Sequence, residues 1–157
     1  MTRFKPQPGQ IDFTHERFAP VVNTVLYRGR EILLVQRSRE LNFYPGYWNG
    51  ISGFLDDRQS FEDKVRSEIH EELGIPMTAV GEIILADIFH QESPKYQKTW
   101  IVHAAVAMLV KEQINIKLDW EGQAYVWVDI DKAGEYQLLP GFADVITAVW
   151  PYVAPRE

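Results

Sequence analysis

Residues 53–75 read GFLDDRQSFEDKVRSEIHEELGI, and this stretch decides how the rest of the chain is read. Its pattern predicts a helix from Ser60 to Leu73. Ser60 is a capping residue with Asp63 three positions on, and Gly74 followed by Pro76 ends the helix. At ~100° per residue, Phe61, Val65, Ile69 and Leu73 form one drifting apolar stripe. Glu68 lies at the edge of that stripe, Glu71 one step further out on the same side. Glu72 projects between Phe61 and Val65, toward the core.

Such a helix carries several penalties. Glu68 with Glu72 and Glu68 with Glu71 are like-charge pairs at helical spacing, each costing about 0.2–0.5 kcal/mol. Glu71 and Glu72 also sit in the last turn, where the helix dipole disfavours anions by about 0.3–1 kcal/mol. No Lys or Arg follows one turn later. A carboxylate directed inward needs a partner or a metal, and oxygen ligands of this kind suit Mg²⁺ or Mn²⁺. The competing reading is a solvated acidic face. Spacing alone leaves both open.

Working outward, Ala19 to Tyr27 and Glu31 to Arg37 read as strands joined at Arg28-Gly29-Arg30, a hairpin. Asn42 to Gly53 is broken by Pro45, Gly46, Gly50 and Gly53 and reads as loop with at most a short strand. After the helix come strands at Glu82 to Phe89 and Thr99 to Val110, joined by a polar loop around Ser93-Pro94-Lys95. A further strand pair is expected at Ile114 to Leu118 and Ala124 to Asp129. A helical turn follows at Asp131 to Glu135, and then a closing helix from Phe142 to about Trp150. This order predicts an α+β fold, an α/β/α sandwich with a mixed β-sheet between helices. The expected organisation is one domain over residues 1–157, with residues 1–17 as an N-terminal arm.

Composition narrows the function classes. The formal net charge of −6 gives no counterion-release gain, so extended nucleic acid is not an expected partner. There is no cysteine, which removes disulfides, thiolate metal sites and cysteine nucleophiles. No stretch has signal-peptide or membrane-span character, so no membrane contact is expected and a cytoplasmic location is the default.

At the helix the sequence resembles the Nudix box, G-x5-E-x7-R-E-U-x-E-E-x-G-U with U aliphatic. Gly53, Glu68, Ile69, Glu71, Glu72, Gly74 and Ile75 all fall in register. The flanking hairpin, later strands and closing helix agree, so the resemblance covers most of residues 19–150. Two positions depart: Gln59 stands where the family has Glu, and Ser67 where it has Arg. In the family these two interact and help orient the metal-binding glutamates. A neutral Gln59–Ser67 hydrogen bond would be the weaker replacement.

The resemblance implies a divalent-metal-dependent hydrolase that cleaves a phosphoanhydride bond in a small nucleoside-diphosphate derivative, with Mg²⁺ or Mn²⁺ as cofactor. Glu68, Glu71 and Glu72 would be metal ligands, joined by the backbone carbonyl of Ser52 and by Glu121. Glu68 is the first candidate for the base that takes a proton from water, and Glu121 the second. Arg37 is similar to a family arginine that contacts phosphate. Trp48 and Asn49, in the run Gly46-Tyr47-Trp48-Asn49-Gly50, are candidates for stacking on a base and bonding its edge. An apolar strand edge or a swapped N-terminal arm would support a homodimer. A family branch that isomerises isopentenyl diphosphate uses a cysteine, which this chain lacks. A non-catalytic module that binds a nucleotide or protein partner is the alternative; Gln59 and Ser67 favour it, and the three helix glutamates oppose it. A protein with no ligand would rest on the solvated-face reading alone.

Overall fold

The computed structural model describes residues 11–110 and 114–153. Seven strands form one mixed sheet: β1 (Phe18–Arg28), β2 (Glu31–Arg37), β3 (Trp48–Asn49), β4 (Ile51–Phe54), β5 (Val80–Ser93), β6 (Lys98–Leu109) and β7 (Gly122–Asp129). Two helices accompany them, α1 (Phe61–Leu73) and α2 (Phe142–Val149). The main path runs β3-β2-β1-β6-β5, with β7 on β2 and β4 on β1. Among the described strands only β1 and β6 pair in parallel.

The helices cover opposite faces, as the sandwich expectation required. On one face Val65, Ile69 and Leu73 of α1 pack with Val22, Leu26 and Leu33. On the other, Phe142, Val145 and Val149 of α2 pack with Val25, Ile32 and Leu34. Strand alternation sends Leu33 and Leu34 to different faces, so runs of consecutive apolar residues are what a doubly covered sheet needs.

One edge of β1 changes partner along its length. Val21 to Thr24 pair with β4, whereas Tyr27 and Arg28 pair with β2. The sheet therefore forks, and β4 runs beside β1 with its Gly53 against Glu68 of α1. This fork puts Ser52 and Gly53 beside the helix.

The helix ends are those the sequence signals. The Ser60 hydroxyl accepts from the Asp63 N–H at 3.1 Å, and Gly74 closes the helix at φ 67° with its N–H on the His70 carbonyl. A positive φ there favours glycine.

The expected strand at Ile114 to Leu118 does not form. Its alternation is real, but Ile114, Ile116 and Leu118 pack on the α1-side core as an unpaired extended segment. Its polar backbone is spent on the helix end: the Lys117 N–H donates to the Leu73 carbonyl and the Asp119 N–H to that of Glu72. β7 pairs with β2 instead. The first ten residues of the expected arm lie outside the described residues. The remainder is tied down by Lys98, whose ammonium donates to the Phe13 and Glu16 carbonyls, and by Phe13 stacked on Phe54.

Candidate active site

The fold brings four segments to one end of α1. The helix contributes Glu68 and Glu72. β4 lies under Glu68 so closely that a Cβ on Gly53 would stand 2.6 Å from its carboxyl carbon. Only glycine allows this approach. The segment bound to the helix end leads into Asp119 and Glu121, and the Ser38 N–H ties the Glu121 carbonyl to the end of β2. At that end the β2–β7 register slips between Gln36 and Arg37. Such a bulge re-aims a side chain, and here the side chain is Arg37.

The electrostatics are unfavourable to the acids. Burial is the main cause of a Glu72 pKa held well above the ordinary carboxyl value, with the charges of Glu121 and Glu68 adding to it. Burial also lifts Glu121 to about 7, helped by Asp119 and Glu68. Glu68 likewise rises to about 7 through burial, and Lys64 partly opposes the rise. One oxygen of Glu72, Oε2, is buried with no hydrogen-bond partner. An unpaired buried acceptor is rare and costly.

Arg37 offers limited relief. Its Nε and Nη2 donate to the Phe43 carbonyl at 3.1 and 2.8 Å. Burial lowers its pKa while Glu72 and Glu121 act the other way.

Beyond Gly53 lies a pocket, partly open to solvent, lined by Asn23, Arg37, Phe43, Tyr44, Phe54 and Trp100 among others. Its wall is braced by Tyr44, which adopts a left-handed φ of 48°. The Tyr44 N–H bonds the Tyr96 hydroxyl, and its own hydroxyl bonds that of Ser93 at 2.6 Å. Strain held this firmly is typical of sites rather than of scaffolds. Asn23 is almost wholly buried. Its Nδ2 donates to Asn49 Oδ1 at 2.9 Å, Asn49 Nδ2 donates to the Ser52 hydroxyl at 3.2 Å, and Asn23 Oδ1 has no partner.

The expected residues thus divide. Glu68, Glu72, Glu121, Ser52 and Arg37 come together. Glu71 is exposed, because it falls on the outward side of the last turn. Among the described residues no group of three His, Cys, Asp or Glu side chains stands close enough to hold an ion. The three helix carboxylates therefore do not form a ready cage. Trp48 is not part of the pocket: it packs in the α2-side core, edge-on to Tyr136 at 5.2 Å. Asn49 supports Asn23 from behind. The neutral bond expected at the two departures is present, with Ser67 Oγ donating to Gln59 Oε1 at 2.9 Å.

Two residues were missed. Asn23 is the polar interruption of an apolar strand, and Lys64 stands four residues before Glu68 on one helix face. Both signals were available in the sequence.

The NUDIX domain family matches residues 17–149. The chain belongs to that family. It is 29% identical to the CTP pyrophosphohydrolase of Escherichia coli K12, over 87% of this chain and 94% of that protein. It is 30% identical to the mitochondrial NAD(P)H pyrophosphatase NUDT13 of Mus musculus, over 75% of this chain. It is 33% identical to the NAD-capped RNA hydrolase NudC of Chromobacterium violaceum, over 46% of this chain. The chain spans only 31% and 26% of the lengths of the latter two. A solved Caenorhabditis elegans Ap4A hydrolase shares the fold with a TM-score of 0.70 at 19% identity, over 87% of this chain and 98% of its own.

Proposed function

We propose that this chain is a divalent-metal-dependent pyrophosphohydrolase acting on a nucleoside-diphosphate derivative. The observation that carries this is the buried, partnerless Oε2 of Glu72 beside the raised carboxyl of Glu121. These groups fit a Mg²⁺ or Mn²⁺ ion: hard oxygen donors, one of them orphaned, in a site with too much negative charge. Glu72 and Glu121 would hold it, with Glu68, Glu71 and the Ser52 carbonyl beside them. Because the carboxylates do not enclose an ion unaided, water and substrate phosphate would complete its shell, as is usual for Mg²⁺. The bound ion would lower the pKa of water and neutralise phosphate charge.

The chain's own groups do the rest. Glu68 is the first candidate to take a proton from water, and Glu121 the second. Arg37 faces the phosphates from the pocket side. Phe43, Tyr44, Phe54 and Trp100 offer flat apolar surface to a base, and Asn23 Oδ1 an unused acceptor for its edge. The relatives' names agree on cleavage within nucleotides but not on the nucleoside.

The test is a panel of nucleoside triphosphates, dinucleoside polyphosphates, reduced and oxidised nicotinamide dinucleotides and ADP-ribose with Mg²⁺ or Mn²⁺, with products separated by chromatography. Cleavage that disappears with chelator and in Glu72→Gln is the expected result. Absence of cleavage for every compound, with a melting-temperature rise for one, would favour instead a module that binds without turnover. The neutral Gln59–Ser67 bond is the observation on that side.

A further inference from the structure

Lys64 lies inside the fold, only 4% exposed, on the α1 face that carries Glu68. Its ammonium has three protons and meets three carboxylates: Asp56 Oδ1 at 3.0 Å, Asp57 Oδ2 at 3.2 Å and Glu68 Oε1 at 3.2 Å. Asp56 is as buried as Lys64. Burial alone would favour the neutral amine, yet the three acids hold Lys64 firmly in its charged form. A buried lysine so fully matched is a fixed cation in the wall of the site.

Its position has a consequence for Glu68. That carboxylate is pressed on one side by Gly53 and on the other by the ammonium. One of its oxygens is therefore committed to a cation the protein already owns. Glu72, one turn later, has no such partner, and its Oε2 is bare. The helix also lacks positive charge at position 67, where Ser67 makes only a neutral bond to Gln59.

We propose that Lys64 is a built-in counter-cation that occupies one cation position beside Glu68. It fixes that carboxylate and reduces by one the number of divalent ions the site takes up. This inference rests on the proposed metal site. Lys64 acts here as a positioning residue, contacting Glu68 rather than substrate.

The test is the stoichiometry of Mn²⁺ binding to the full-length chain without substrate, read from free Mn²⁺ by electron paramagnetic resonance. Lys64→Met is expected to bind one more Mn²⁺ per chain than the wild type. Lys64→Met combined with Glu68→Gln is expected to return to the wild-type number. Asp56→Asn with Lys64→Met removes both buried charges together and serves if the single variant unfolds; it too is expected to gain one ion. Wild-type binding that Glu72→Gln abolishes, with the same stoichiometry in folded Lys64 variants, would overturn this inference and leave the metal site standing. No Mn²⁺ bound by wild type or variants would overturn both. A gain that survives Glu68→Gln would place the extra ion elsewhere and also reject the inference.

Discussion

Two groups of carboxylates meet the same helix, one at Lys64 and the other at Glu72, and have opposite fates. Around Lys64, the acids Asp56, Asp57 and Glu68 share an ammonium whose every proton is used. Around Glu72, one carboxyl oxygen is buried and the cation in reach, Arg37, spends two of its donors on the Phe43 carbonyl. Burial by itself therefore does not mark a site. A buried charge with its partner present is architecture, and a buried charge with its partner missing waits for one. The cost of the second arrangement survives in a folded protein where a ligand offsets it.

Substitutions can break this contrast from either side. The largest effect is expected for Glu72→Gln: turnover of the best substrate should fall by more than ~100-fold, beyond the ~10–100-fold typical of losing a supporting residue. Its metal-free melting temperature should hold or rise, since an unpaired buried charge is removed. Lys64→Met should show the reverse priority, losing about 3–5 kcal/mol in urea unfolding because it removes the cation that buried Asp56 shares with Asp57 and Glu68. A Lys64→Met protein as stable as wild type would erase the distinction drawn between the two groups.

The pH dependence of stability sharpens it further. Glu68 and Glu121 have folded pKa values of about 7 against an ordinary 4.5. The folded chain thus holds more protons than the unfolded chain between those values. Their stabilising contribution is full below about 4.5 and is lost as pH rises through 7. Metal-free melting temperature should fall by roughly 5–10 °C between pH 5 and 8, and saturating Mn²⁺ should flatten that slope. The smallest effect is expected for Ser67→Ala, which removes an exposed neutral bond to Gln59; unfolding should shift by less than about 0.5 kcal/mol. A larger loss would mean that this pair, rather than Lys64, braces the helix.

Much of this was legible before any coordinates. The α1 caps, the β1–β2 hairpin and the inward aim of Glu72 follow from local spacing, and the structure keeps them. Trp48 had two readings, stacking on a base or packing in the core, and it packs against the α2-side core edge-on to Tyr136. Ile114 to Leu118 misled because alternation specifies a buried face without specifying a pairing partner. Glu71 separates burial from proximity: it is exposed where Glu68 and Glu72 are partly buried, yet its charge acts on Glu68 and Glu121.

By itself the sequence determined α1, its ends and the spacing of Glu68 and Glu72, along with the Lys64 that reaches Glu68 one turn away. Those features depend on residues no more than about five apart, where helical geometry leaves little choice. The tertiary structure alone decided that Gly53 presses on Glu68, that the β2 bulge turns Arg37, and that Glu121 closes on Glu72. These are meetings between segments tens of residues apart, set by strand register and by where a backbone finds its hydrogen bonds. No local pattern encodes which of two inward-facing carboxylates will be left without a partner.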